Sequence, residues 1–282
     1  MLIERDVTLP DGRTLWSTDT GPADDDTFTL VWHHGSPHTG VLIPPLLTAA
    51  AEHRIRLVTY ARPSYGGSTS APGRSVASAA DDVAHVADAA DLDRFAVMGA
   101  SGGGPHALAC AALLPHRVTA AVTFAGLAPL TDDFDWFAGM ASDGALRSAA
   151  EGRPARALFA ETDEFEAGVF TEADYAALAG EWASLGEDAG RAGEHGDDGL
   201  IDDDVAFTSP WGFDVTTISA PVLLVHGAQD RMVPASHSEW LARHVPDAEL
   251  WLRSHDGHVS VLRELGAAME WLSRAGRRPA SR

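Results

Sequence analysis

Three short segments carry residue types that together could break an acyl bond. Gly99-Ala100-Ser101-Gly102-Gly103 follows the apolar run 95–98 and precedes Gly104-Pro105 and a helix-like stretch, so it reads as strand, sharp turn and helix. A serine on such a turn stands above the sheet edge in a strained backbone conformation that only small neighbours permit. Here the neighbours are Gly, Ala, Gly and Gly. The hydroxyl becomes a nucleophile when an imidazole takes its proton and a carboxylate fixes that imidazole's tautomer. Asp230 falls in the loop after the apolar strand 222–226, and Ser254-His255-Asp256-Gly257-His258 forms the loop after the next strand. Open α/β sheets build their sites at the carboxyl ends of their strands, where both loops lie. His255 and His258 are rival bases, and Asp256 is a poorer acid than Asp230 because it stands two residues from His258.

Acyl transfer also needs donors for the oxyanion that forms on the attacked carbonyl. One expected donor is the backbone N–H of Gly102; the other should come from the loop His33-His34-Gly35-Ser36-Pro37-His38 after the third strand. Through H-G-S-P at 34–37, G-A-S-G-G at 99–103, H-G-A-Q-D-R-M-V-P at 226–234 and D-G-H at 256–258, nearly the whole chain resembles the α/β-hydrolase superfamily. The resemblance implies Ser101 as nucleophile, Asp230 as orienting acid and His258 as base, with the N–H groups of Ser36 and Gly102 as the oxyanion hole. His258 follows a glycine and opens a helix, as the family's base does, which favours it over His255. Arg62-Pro63-Ser64-Tyr65-Gly66-Gly67-Ser68 looks like the family's R-P-G-Y-G-x-S loop, and His34 is expected to brace the oxyanion loop. The implied reaction is hydrolysis of a small carboxylic ester or lactone through an acyl-enzyme, with no cofactor and no metal.

Two other readings stay open. A proline-iminopeptidase-type aminopeptidase shares the fold, and Glu161, Asp163, Glu164 and Glu166 could bind its substrate amine; the H-G-S-P loop and the small neighbours Ala100 and Gly102 depart from that pattern. From a different class, a non-catalytic ligand receptor could use the same scaffold. A haloalkane dehalogenase would need Asp where Ser101 stands, whereas haloperoxidase or perhydrolase activity could accompany the same residues.

The elements that must position these residues alternate. Residues 3–9 and 14–20 flank Asp11-Gly12, a hairpin signal, and runs at 28–32, 55–59, 95–99, 118–124, 222–226 and 249–252 read as further strands. Helical spacing appears at 43–53, 76–90, 105–114, 236–244 and 259–275. The expectation is an α/β fold: a mostly parallel sheet of about eight strands flanked by helices. Residues 127–215 interrupt the alternation with Ala, Gly, Asp and Glu and interleaved aromatics, and read as a mainly helical cap inserted into a core of 1–126 and 216–282. Trp136, Phe137, Trp182 and Trp211 are its candidate substrate contacts. The acidic runs at 24–26, 197–198 and 202–204 read as solvated loops, and the tail 276–282 as frayed.

At 282 residues and 45% hydrophobic, the chain can bury one sizeable core. A net charge of -21 disfavours a phosphate backbone as partner, so a small molecule and not nucleic acid is expected to bind. All 20 basic residues are Arg, which removes Schiff-base chemistry. The lone Cys110 can form no intrachain disulfide and reads as a buried thiol. No basic-then-apolar start and no long apolar run point to a membrane, so a cytoplasmic protein is expected; oligomeric state is left open.

Overall fold

The computed structural model describes residues 2–22 and 27–277; the acidic run at 24–26 and the last five residues of the tail lie outside them. The hairpin forms as read, β1 (Ile3–Thr8) pairing antiparallel with β2 (Thr14–Asp19) across Asp11-Gly12. The chain then alternates through β3 (Phe28–His33), α1 (Pro44–Glu52), β4 (Ile55–Tyr60), α2 (Ser78–Ala89), β5 (Phe95–Ala100), α3 (Gly103–Leu113) and β6 (Val118–Phe124). Five helices follow before the next strand: α4 (Gly144–Ala150), α5 (Arg153–Ala160), α6 (Glu172–Leu178), α7 (Ala183–Gly193) and α8 (Asp198–Thr208). Alternation resumes with β7 (Val222–Gly227), α9 (Ser236–His244), β8 (Ala248–Arg253) and α10 (Leu265–Ala275).

The eight strands form one sheet in the order β1-β2-β4-β3-β5-β6-β7-β8, antiparallel at β1, β2 and β4 and parallel from there on. The expected α/β fold is therefore borne out. A parallel sheet needs helices on both faces because its strands are buried on both; β4 and β7 are buried along their whole length. One apolar layer packs α2, α3 and α9 on one face, and a second packs α1 and α10 on the other. Apolar burial at roughly 25 cal/mol per Å² makes these two layers the main stabilising term.

Two expectations are corrected. The single helix over 259–275 is split into a 3-10 turn, Ser260–Glu264, and α10. Its first N–H groups are taken by a carboxylate of α6, Asp174, which fixes the start of the turn at Val259 and Ser260. The run Asp202-Asp203-Asp204 is not a solvated loop: it lies in α8 with all three residues buried. Each meets a guanidinium there, Asp202 from Arg74 and Arg153, Asp203 from Arg62 and Arg74, Asp204 from Arg156. Among the described residues no helix is long and apolar enough to cross a membrane.

The carboxyl ends of β7 and β8 are stitched together. Ala228 N donates to Arg253 O and Gln229 N to Asp256 O, both at 2.9 Å. A Cβ added at Gly227 would run into the carbonyl oxygens of Asp256 and Gly257, so only glycine lets the Asp230 and His258 loops approach this closely. Gly227→Ala is expected to lower stability by about 1–3 kcal/mol through this overpacking, read in urea unfolding. An unchanged midpoint would show that the two loops can separate freely.

Candidate active site

Ser101 sits between β5 and α3 with φ 51, the left-handed region that costs a non-glycine residue about 1–3 kcal/mol. The surrounding glycines explain how the turn closes. A Cβ at Gly99 would collide with the Gly103 carbonyl, and one at Gly103 with the carbonyls of His33 and His34. Strand β3 therefore runs directly against the turn, bringing its terminal loop beside the serine. The Ser101 carbonyl accepts from Gly104 N at 2.9 Å, so the N–H of Gly102, in the same trans peptide, points the opposite way.

The β3 loop is oriented by similar accounting. The Gly35 carbonyl accepts from His34 Nδ1 at 2.7 Å and Arg62 Nη2 at 3.1 Å, which turns the Ser36 N–H away from Arg62. His34 Nε2 accepts from Arg62 N at 3.1 Å, and Arg62 also donates to the His34 carbonyl. Both ring nitrogens of His34 are thus spent bracing the loop. A Cβ at Gly102 would strike Ser36 Oγ, so the two residues expected to donate to an oxyanion lie side by side.

Asp230 follows β7 and is buried. Its Oδ1 accepts the N–H groups of Met232 and Val233, both at 2.9 Å, while Oδ2 lies 2.7 Å from His258 Nδ1 and 3.3 Å from His226 Nε2. Burial works against its charge, yet the neighbouring His258 and the bonds from both imidazoles hold its carboxyl well below the usual range. An ionised carboxylate only accepts, so His258 Nδ1 carries the proton and Nε2 is the basic nitrogen. Burial of His258 disfavours its cation, but Asp230 outweighs that and raises the imidazole above its ordinary value. Asp256 faces elsewhere, paired with Arg263 at 2.9 Å, and His255 is exposed.

Ser101, His258 and Ser36 line one cavity of about 360 Å³. Apolar side chains dominate its wall, from the core (Trp32, Ile43, Leu46) and from the helical segment (Phe170, Leu178, Trp182). Of the four aromatic residues expected to meet substrate, only Trp182 lines it. Trp136 instead donates Nε1–H to the Ala128 carbonyl and packs on Phe137 and His237, and Trp211 donates to Phe207 and packs on Phe213. These three are packing residues because they face the α9 and α3 side of the sheet. Glu161, Asp163, Glu164 and Glu166 are exposed and line no part of the cavity. His33 is buried against Tyr60 and Cys110, and His106 bonds the Gly102 carbonyl at 2.7 Å, its pKa lowered to about 3 by burial and nearby Arg62. Cys110 is buried, as expected.

Three further buried carboxylates, none singled out in the sequence as site residues, reach from α6, α7 and α8 to the loops that hold these groups. Asp174 Oδ1 accepts Val259 N, Ser260 N and Ser260 Oγ, all at 2.8 Å, just after His258. Asp188 accepts Thr39 N at 3.1 Å and Thr39 Oγ1 at 2.6 Å, just after the H-G-S-P loop. Asp203 Oδ2 accepts Ser36 Oγ at 2.5 Å, Arg62 Nη2 at 2.6 Å and Tyr65 Oη at 2.9 Å, and Oδ1 accepts Arg74 Nη2 at 2.7 Å. Burial opposes the Asp203 charge, but Arg62 and Arg74 hold its carboxyl far below the usual range. One signal was available: 202–204 is flanked by Leu200-Ile201 and Val205-Ala206-Phe207, and apolar residues on both sides mark a buried helix.

A serine raised on a left-handed turn at the carboxyl edge of a mostly parallel eight-stranded sheet is the architecture of a hydrolase of the α/β type. A family model described as alpha/beta hydrolase fold matches residues 29–265, and the chain belongs to that family. A pimeloyl-(acyl-carrier protein) methyl ester esterase of Nitrosomonas europaea is 40% identical over 55 residues, 20% of this chain and 22% of that protein, so the match spans about a fifth of that relative's length. A bromoperoxidase from Bacillus anthracis superposes with a TM-score of 0.76 at 20% identity, covering 97% of this chain and 100% of that one. An enol-lactonase from Burkholderia xenovorans gives 0.69 at 18% identity, covering 94% and 96%. At these identities the likeness to solved structures is one of fold.

Removing Asp203 would leave two guanidinium groups buried without their shared carboxylate. Asp203→Ala is therefore expected to lower stability by about 3–5 kcal/mol, against less than about 0.5 for the exposed Glu164→Ala, compared by urea unfolding at pH 7. Equal midpoints for the two variants would show that Asp203 holds nothing together.

Proposed function

We propose that this protein is a serine hydrolase that cleaves a small carboxylic ester or lactone through an acyl-enzyme. The observation that carries the reading is the shared cavity: Ser101 and His258 line one apolar space, and His258 is held in a single tautomer by Asp230. Ser101 Oγ attacks the carbonyl carbon while His258 Nε2 takes its proton, and the oxyanion is received by the N–H groups of Ser36 and Gly102. His258 then returns the proton to the departing alcohol. A water deprotonated by the same nitrogen attacks the acyl-enzyme and frees the acid and Ser101. No step calls on a further cofactor.

Helices α4–α8 serve in this scheme as the cap, with α6, α7 and the turn between them contributing Leu178, Trp182, Leu185 and Gly186 to the wall that selects the acyl or alcohol group. The ester reading is supported by the apolar wall and by the esterase and lactonase names of the relatives. Glu161, Asp163, Glu164 and Glu166, offered for the amine of an aminopeptidase substrate, line no part of the cavity, which gives that reading no support.

A serine-directed phosphonate is expected to label Ser101, at a rate reduced at least about a hundredfold in His258→Ala, followed by mass spectrometry. No adduct at Ser101 would overturn the reading, and faster turnover of Pro-naphthylamide than of p-nitrophenyl butanoate would replace it with a peptidase. The pH dependence has a definite sign. Catalysis needs neutral His258, whose pKa is raised by Asp230, so kcat/KM should fall as pH drops through an inflection above 6.5, the ordinary value for histidine. Asp230→Asn should lower kcat by roughly 10⁴-fold and move that inflection downward.

A further inference from the structure

The cavity wall holds a second imidazole–carboxylate pair that acyl transfer does not use. His38 stands two residues beyond Ser36, lines the cavity, and has Nδ1 3.1 Å from Asp188 Oδ2. Asp188 is buried and also accepts from Thr39 N, Thr39 Oγ1 and Arg191. Burial opposes its charge, but the bonds from His38 and Thr39 bring its pKa down to about 2, so it is ionised and only accepts. His38 Nδ1 therefore carries a proton whatever the charge of the ring. Nε2 has no protein partner among the described residues. The ring edge lies against the oxyanion loop: a Cβ on Gly35 would stand 3.1 Å from His38 Cδ2, 3.5 Å from Nε2 and 3.5 Å from the Ala100 carbonyl. The unpaired nitrogen thus sits beside Gly35, the residue that immediately precedes Ser36, in the wall of the cavity that Ser101 also lines.

We propose that His38 Nε2 is a substrate subsite for a hydroxyl on the acyl chain near the scissile carbonyl, which makes hydroxy-substituted acyl esters the preferred substrates. The inference rests on the ester reading above. A hydroxyl suits the site because it both donates and accepts. Neutral His38 offers a lone pair at Nε2 and the cation offers an N–H, and a hydroxyl can pair with either. A carboxylate would serve only the cation, and an ammonium only the neutral ring. The rest of the wall is apolar enough to hold the hydrocarbon part, so the hydroxyl contact supplies discrimination where methylene contacts discriminate weakly.

The test is turnover of ethyl butanoate, ethyl 2-hydroxybutanoate and ethyl 3-hydroxybutanoate by proton release, in the wild type, His38→Leu and His38→Gln. At least one hydroxy ester should exceed ethyl butanoate in kcat/KM by about tenfold in the wild type, and the ratio should collapse toward one in His38→Leu. His38→Gln, whose amide can still pair with a hydroxyl, should recover part of the preference. Because each ratio is read on a single enzyme, partial unfolding of a variant cancels. A ratio near one in the wild type, or an equal fall on all three esters in His38→Leu, would overturn the subsite while leaving the ester reading intact. Failure of the wild type to hydrolyse any of the three, with no phosphonate adduct on Ser101, would overturn both.

Discussion

Three buried carboxylates decide how this molecule is assembled. Asp174, Asp188 and Asp203 stand on α6, α7 and α8, and each reaches out of the helical segment to a loop of the sheet's carboxyl edge. One fixes the backbone after His258, one the end of the loop containing Ser36, and one Ser36 itself. A backbone N–H buried without a partner costs about 1–3 kcal/mol, so withdrawing the helices would expose or orphan several donors at once. The helical segment is thereby bonded to the loops that carry the candidate chemistry, and their geometry depends on it.

The charge accounting has the same logic. Net charge is -21, yet the carboxylates that matter here are not those that repel one another at the surface. Asp203 is shared between Arg62 and Arg74, Asp202 between Arg74 and Arg153, and Asp204 is bonded to Arg156. A planar guanidinium offers several donors at fixed angles, so one Arg62 can hold the His34 and Gly35 carbonyls, Ser36 Oγ and Asp203 together. A lysine, with a single compact charge, could not span that set. Buried ion pairs often contribute little net stability compared with apolar packing, and their value here is positional: they specify one arrangement of the loop.

Much of the fold was legible because it rests on local pattern. Apolar runs of four to seven residues bounded by turn residues marked the parallel strands, and Gly99, Ser101 and Gly103 announced the turn that Gly103 alone can close against β3. Asp230 and His258 could be placed at strand ends, and the structure brings their side chains to 2.7 Å. What stayed hidden depends on contacts far apart in the chain. Asp203 and Ser36 are 167 residues apart in the chain, and nothing in an acidic triplet says that guanidinium groups from residues 62 and 74 will meet it. The aromatic residues misled for a related reason: Trp136 and Trp211 look alike in sequence to Trp182, and only the side of the sheet they face decides which of them sees the cavity.

At His38 the assembly and the cavity wall cannot be varied independently. Asp188 both anchors the Thr39 backbone and fixes the His38 ring, so a change at Asp188 that alters the wall also alters the loop containing Ser36. Leu185 and Gly186 lie on the same helix within one turn of Asp188 and line the same space. A substitution at either can reshape the cavity while leaving the carboxylate in place, whereas one at Asp188 disturbs both functions together. Room for new substrates should therefore arise first at the apolar positions of α6 and α7, between the fixed points set by Asp174 and Asp188.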